Sequence, residues 1–497
     1  MPELTQNIVA RCLGIPFNNV RVISRRAGGG LGGKAMKSTH VACACAVAAL
    51  KLRRPVRMYL DRKTDMIIAG GRHPMKVKYS VGFKSDGKIT ALHLDLGINA
   101  GISPDVSPLM PPAIIGALKK YNWGNLAFDA KVCKTNVSSK SAMRGPGDVQ
   151  GSFIAEAIIE HVASVLPLDT NTIWRKNLHD FESLAEFYGE SAGDASTYSL
   201  VSMFDKLALS PDYQHRATMI EHYNSSNKWT KRGISCVPIT YKVNLRPTPG
   251  KVSIMNDGSI AVEVGGVEIG QGLWTKVKQM TAFGLGQLCP DGGECLLDKR
   301  LKPIKESLEA KAKPVEWSAL IGQVEVDVLT GATTILRSDL LYDCGQSLNP
   351  AVDLGQIEGS FVQGVGFFTN EDYATNSDGL VIHDGTWTYK IPTVDTIPKQ
   401  FNVEMFNSAR DQKRVLSSKA SGEPPLVLAA SVHCAMREAI RAARKEFSVS
   451  TGPANSATTF QMDVPATMPV VKELCGLDVI ERYLESICAA GPNTATA

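Results

Sequence analysis

The sequence predicts a mixed α/β protein, α+β in character and built as two lobes, on three observations. Helical and strand patterns alternate through the first third of its 497 residues. Three apolar-alternating segments double back at Ser-Asp-Gly-Lys, Asp-Gly and Thr-Gly, the turn chemistry of β-hairpins. Between 184 and 230 the chain becomes polar and loses its periodicity, which marks a connection. The expected division is a first domain over 1–183, a connecting segment over 184–227 and a second domain over 228–497.

In chain order, "VRVIS" (20–24) reads as a strand and "AMKSTHVACACAVAALKL" (35–52) as a buried, alanine-rich helix. "PVRMYLDR" (55–62) reads as a second strand. A hairpin over 75–98 and a helix with an apolar stripe over 149–166 follow. Two more hairpins are expected over 252–266 and 324–343, then helices near 349–366 and 426–447. On the last helix Leu428, Val432, Met436 and Ile440 form a core stripe, and Arg437, Arg441 and Arg444 read as a solvated basic face. The charge-rich stretch 287–322 lacks an apolar face for its length and reads as two helix ends brought together.

Composition excludes several classes. An apolar fraction of 44% and a charged fraction of 21% are ordinary for a soluble globular protein. A net charge of +5, with no dense Lys/Arg block, gives nucleic-acid binding no support. "MPELTQNIVARCLG" is not a signal peptide, and no apolar run is long enough to cross a bilayer, so no membrane association is expected. Eleven scattered cysteines without an export signal read as reduced thiols in the cytoplasm. Cys43/Cys45 and Cys289/Cys295 lack zinc spacing, and the nine histidines form no H-x-H or H-x-x-x-H pair. No metal held directly by the protein is expected.

Five of the six residues from Gly28 to Gly33 are glycine, and Lys34 follows. The segment satisfies all but the last position of a P-loop, where Ala35 stands in place of the Mg²⁺-binding Ser or Thr. It also satisfies G-x-G-x-x-G, with Asp61 as a ribose ligand lying further on than the usual ~20 residues. The structural alternative is a tight strand-to-helix turn needing positive φ.

Four other segments share its character: "KSAMRGPGDVQGS" (140–152), "GGVEIGQGLWTK" (265–276), "NPAVDLGQIEGSFVQGVG" (349–366) and "SSKASGEPPLVLAAS" (417–431). Glycine lets backbone approach a large planar ligand, and Gln offers donors and acceptors to a heterocycle edge. Taken with R-x-G-G-G-x-G-G-K, these segments resemble the molybdenum-cofactor-binding part of the xanthine dehydrogenase and aldehyde oxidase family, of the plant aldehyde oxidase type. The likeness covers essentially the whole chain, including "RRPVRMYLDRKTDMIIAGGRHP".

The resemblance implies a two-lobed molybdopterin-binding fold, a molybdenum-molybdopterin cofactor and oxidation of aldehydes to carboxylic acids. It implies Glu423 of G-E-P-P-L as the catalytic base and Arg144 as the arginine bordering the metal. Gly30, Leu31, Gly32, Gly33, Met143, Arg144, Gly270, Gln271, Gly272 and Gln356 match its cofactor-binding positions. The plainer alternatives are an N-cap carboxylate for Glu423, a surface helix-start arginine for Arg144 and polar turn or helix residues for the glutamines. Indole-acetaldehyde and abscisic aldehyde, in auxin and abscisic acid biosynthesis, are the substrates that the plant members suggest. A homodimer is the family's assembly.

The chain also departs from the pattern. Leu31 stands where the family has phenylalanine. Met143 and Pro146 replace the two phenylalanines of the purine-specific members, and Pro112 takes the place of their arginine, which favours an aldehyde over xanthine. No C-x4-C-x2-C spacing occurs, so the 2Fe-2S and FAD domains of full-length relatives are absent. Internal deletions are expected near 281–322, where a pterin-binding segment belongs. Two other readings follow: a catalytically inactive remnant serving as an interaction module, and a nucleotide-binding protein using Gly28–Lys34.

Overall fold

The computed structural model describes residues 2–166, 168–243, 248–288, 315–406, 418–447 and 459–477. The chain opens with α1 (Pro2–Leu13) and α2 (Ser38–Leu52), which pack on each other, and with α3 (Arg62–Ala69), capped by Asp61. Neither 20–24 nor 55–60 forms a strand, against the sequence expectation. A strand needs a laddered neighbour, and among the described residues neither segment has one; Ile23 is 71% and Tyr59 86% exposed. Helix α2 is not buried either, because its small side chains meet α1 on one side only and just Thr39 is fully covered.

The first sheet has the order β1-β2-β3, from β1 (Met75–Phe83), β2 (Ile89–Gly101) and β3 (Asn125–Lys134). The hairpin β1/β2 is antiparallel, and β3 joins parallel to β2 after a crossover through α4 (Met110–Leu118). Leu92, Leu94, Leu96 and Ile98 alternate into the core, where α5 (Asp148–Val165) brings Ile154, Ile158 and Val162. After α6 (Thr170–Asn177), the span 184–227 expected as a polar connection is largely helical, holding the end of α7 (Phe181–Tyr188), α8 (Leu200–Ala208) and α9 (Pro211–Ser226). Leu200, Phe204 and Ala208 on α8, and Tyr213, Arg216 and Ile220 on α9, are buried three or four residues apart, stripes diluted by the polar outer faces.

The second sheet runs β4-β7-β8-β9: β4 (Thr230–Lys242), β7 (Val315–Asp327), β8 (Thr333–Tyr342) and β9 (Gln400–Met405). A separate hairpin pairs β5 (Gly250–Ile254) with β6 (Ile260–Val264) and leads into α10 (Leu273–Leu288). Of the charge-rich stretch, residues 289–314 lie outside the described residues, and 315–322 belong to β7. Helix α11 (Pro350–Thr369) follows β8. Among the described residues the last helices are α12 (Pro424–Val427), α13 (Ala430–Phe447) and α14 (Met468–Leu474).

Helix α13 lies on β4 and β7 because Gly233 lets it approach: an added Cβ there would stand 2.0 Å from the Ala435 carbonyl oxygen. Leu428, Val432, Met436 and Ile440 are all buried in this interface. The basic cluster is not solvated, contrary to expectation. Arg437 donates to the Phe460 carbonyl at 2.8 Å, Arg444 to the Leu474 carbonyl at 3.1 Å, and Arg441 bridges Glu438 and Glu160. The later segments around Phe460 and α14 fold back over that face, and no local pattern announces them.

The apolar core is continuous from Leu94 and Ile158 to Ile321 and Met436. Buried Lys120 crosses it, bonding the Pro238 carbonyl at 3.0 Å and pairing with Glu156, which also accepts from Trp174 at 2.6 Å. Gly233→Ala is expected to destabilise the chain by about 3 kcal/mol or more through overpacking against backbone. Denaturant unfolding measures it; a midpoint equal to the parent's would show that α13 can retreat.

Candidate active site

Helix α11 starts at Asn349, whose side chain caps the Val352 N–H at 3.0 Å, with Pro350 in its first turn. Its 3.6-residue period puts Asp353, Gln356 and Gln363 along one face. That face meets three loops. Gly364 allows the approach, since a Cβ there would lie 2.3 Å from the Leu426 carbonyl oxygen.

Arg144, just before α5, ties these parts together. Its backbone N–H donates to the Leu31 carbonyl at 2.8 Å. Its Nε donates to the Gly422 carbonyl at 2.5 Å, and Nη1 to Gln363 Oε1 at 3.0 Å. Nη2 reaches Gln356 Oε1 at 2.9 Å and the Gln356 carbonyl at 3.2 Å. Gln356 in turn donates from Nε2 to the Gly270 carbonyl at 3.1 Å. All five glycine- and glutamine-rich segments are thus joined by one short chain of hydrogen bonds. Arg144 is half-buried and fully engaged, not a surface arginine.

Asp353 makes a second tie: it pairs with Lys276 at 2.5 Å and accepts from Ser421 and Ser347 at 2.6 Å each. Burial pulls its carboxyl upward, but these three donors outweigh it and hold the group below the usual range.

Glu423 occupies the position before α12, yet its side chain caps nothing. Its Oε2 accepts from the Tyr241 hydroxyl at 2.6 Å, and its Oε1 faces the Gly145 N–H at 3.4 Å. The Arg144 and Arg72 guanidinium groups and the carboxyl of Asp148 lie within its electrostatic reach. Burial, then the Glu423 charge, pushes Asp148 well above the usual carboxylate range. Tyr241 is raised well above an ordinary phenol by burial first and by Asp148 and Glu423 next. Burial pushes Arg72 down to about 10, against the opposing pull of Glu371 and its other anionic neighbours. Arg72 donates to the Met143 carbonyl at 2.8 Å and so braces the Arg144 loop from behind.

The glycine loop packs on that segment. Gly32, at φ +89°, leaves 2.7 Å between a would-be Cβ and the Ala142 carbonyl oxygen, and Leu31 is itself held at φ 48°. Gly28 and Gly30 differ: neither has positive φ, and a Cβ on either meets nothing within 4 Å. The fold itself does not require glycine there. Bare backbone with open space before it fits close approach of a large ligand, so the residues present suit a pterin-sized group.

The other sequence candidates fall out as follows. Met143 lies against Gly33, whose added Cβ would be 3.3 Å from the Met143 sulfur. Gly270 and Gly272 take φ of +101° and +77° and shape the turn before α10. The Gln271 side chain is spent inside that turn, on Ile269 N–H at 2.7 Å and the Val267 carbonyl at 2.9 Å. The same turn wraps Glu268, which accepts from the N–H groups of Gly270, Gly272 and Trp274. A nucleotide loop should follow a strand, and this one does not; Asp61 caps α3 through Thr64 N–H at 3.0 Å, and Lys34 pairs with Asp65 at 2.7 Å.

Sequence reasoning missed Tyr241, Arg72, Asp148, Asp353 and Gln363. Asp353 and Gln363 sit at helical spacing from Gln356 inside a motif, which was a usable signal. Tyr241, on β4, carried none.

A family model described as "Molybdopterin cofactor-binding domain" matches residues 1–178, and a second of the same description matches 206–291 and 303–398. An indole-3-acetaldehyde oxidase of Zea mays is 78% identical over 570 aligned residues, covering 100% of this chain and 42% of its own. A probable aldehyde oxidase 2 of Oryza sativa subsp. japonica is 71% identical, covering 98% of this chain and 41% of its own. The chain therefore spans less than half the length of these curated relatives. The aldehyde oxidoreductase structure from Desulfovibrio gigas shares the fold, with a TM-score of 0.74 at 22% identity over 95% of this chain and 56% of that one.

Arg144→Met is expected to cost about 2–3 kcal/mol, because it leaves the Gly422 carbonyl and Gln356 without their charged donor. Hydrogen exchange localises the effect: amides at 269–272 and 420–423 exchange faster together. Unchanged protection in both loops would sink the hub.

Proposed function

The chain belongs to the aldehyde oxidase family, as its molybdopterin cofactor-binding region, and we propose that it oxidises an aldehyde to a carboxylic acid with Glu423 as base. The observation that carries this reading is the convergence of Glu423, Arg144, Gln356 and the Leu31–Gly33 backbone on one place. Gly30–Gly33, Met143–Arg144, Gly270–Gly272 and Gln356 would hold the cofactor. When bound, molybdenum-molybdopterin supplies the two-electron redox change.

The chain's own residues do the rest. The net reaction takes aldehyde and water to carboxylic acid, two protons and two electrons, and the electrons leave to an acceptor. Glu423 accepts a proton as oxygen is delivered to the aldehyde carbon. Arg144 fixes the loop that bears Glu423 through the Gly422 carbonyl. Pro424 and Pro425, both buried, stiffen the next step of that loop. The Zea mays relative's name points to indole-acetaldehyde as the first substrate to try.

A second reading, a family remnant without turnover, is favoured by one observation. The Zea mays alignment runs over 570 positions against the 497 residues here, so that relative carries residues within the aligned span that this chain lacks.

One measurement separates the two: molybdenum per chain after expression in a host that makes the sulfurated cofactor. The enzyme reading expects a ratio near one. It also expects aldehyde turnover with an artificial electron acceptor that Glu423→Gln lowers by ~10²–10⁴-fold without loss of molybdenum. Folded chain free of molybdenum supports the remnant; full turnover by Glu423→Gln removes Glu423 as base.

A further inference from the structure

The two oxygens of Glu423 are not equivalent. Oε2 receives a short bond, 2.6 Å, from a buried phenol; Oε1 has only the Gly145 N–H at 3.4 Å, beyond the usual N–H···O range. A carboxylate on a flexible side chain presents either oxygen, whereas one strong donor on one oxygen fixes both its plane and its direction. Resting on the reading of Glu423 as base, we propose that Tyr241 is its positioning residue: the phenol occupies Oε2 and leaves Oε1 as the proton-accepting oxygen.

The placement supports this division. Tyr241 sits near the end of β4, 6% exposed, and its backbone is locked in the ladder opposite Glu316 on β7. A rotamer carried by a strand that is laddered along its length is a more rigid donor than one on a loop. The charged and titratable groups that face Glu423 come from every side. Arg144 and Asp148 flank the start of α5, Arg72 lies behind the Met143 carbonyl, and Tyr241 projects from β4, with Tyr342 of β8 beyond it. Of these, Tyr241 alone donates a side-chain hydrogen bond to the Glu423 carboxylate. The phenol holds its own proton throughout, because burial and then the Asp148 and Glu423 charges disfavour the phenolate. It therefore donates without competing for the proton that Glu423 takes.

Two measurements test the proposal. In the cofactor-free chain, 3-fluorotyrosine placed at position 241 reports its phenol titration through the ¹⁹F shift. Glu423→Gln removes the charge and the charged acceptor, so the midpoint should fall by about one to two pH units; an unmoved midpoint overturns the proposal. In the loaded chain, Tyr241→Phe keeps the ring and removes the donor. It should lower kcat by about ten- to a hundredfold at constant KM and move the acid limb of the kcat/KM profile to higher pH. The direction follows because a donor to the carboxylate favours its ionised form, and losing it lets protonation begin earlier. An unchanged acid limb overturns the positioning role, since a merely structural loss would lower activity at every pH alike. If Tyr241→Phe does not fold, the near-isosteric fluorotyrosine titration still decides. Failure of the base reading looks different: Glu423→Gln would keep its turnover whatever position 241 reports.

Discussion

The guanidinium of Arg144 is the interaction on which the site depends. Its side-chain partners Gln356, Gln363 and Gly422 lie 212, 219 and 278 residues away in sequence, and Leu31 accepts from its backbone. Arginine suits this task because its planar fork aims several donors at once and stays charged under partial burial. Burial does oppose it, lowering its affinity for the proton, and the negative charge of Glu423 offsets part of that cost. A lysine could satisfy one or two of these acceptors, not four in fixed directions.

That hub explains why the surrounding backbone is so poor in side chains. Loops that must meet around one guanidinium, and leave room before it, cannot carry Cβ atoms at their closest approaches. Gly32 and Gly364 are glycine because backbone from another segment passes there, while Gly28 and Gly30 face open space. The two kinds of glycine look identical in a sequence and mean different things in the fold. Asp353 works beside the hub, holding Lys276 of α10 and Ser421 of the Glu423 loop in one ion-paired group. The glycine turn before α10 is therefore pinned from two directions, through Gln356 and through Lys276.

Below the site, the rigid frame is the second sheet and α13. Tyr241 reaches Glu423 because β4 is central to the packing: β7 ladders to one edge of it, and α13 closes on its face over Gly233. Lys120 pairs with Glu156 and also bonds the Pro238 carbonyl, so this buried pair ties the segment before α6 to β4 after α9. Such a pair adds little net stability, but it penalises any packing that separates its members.

What the sequence by itself determined was local. Hairpin turns, the helices at α5, α11 and α13, and the five glycine- and glutamine-rich segments were legible, because turn chemistry and amphipathic period act over a few residues. Glu423, Arg144 and Gln356 were singled out by resemblance of their motifs, and the fold brings the three together. Strand patterns at 20–24 and 55–60 misled, since pairing is a property of neighbours and none of the described residues supplies one. The arginines of α13 misled for the same reason, as their cover comes from residues around Phe460 and Leu474. Only the tertiary structure decided that an unremarkable tyrosine on β4 and an arginine before β1 stand beside Glu423. Their chemistry arises from burial and from charges brought near by folding, and neither quantity exists in the unfolded chain.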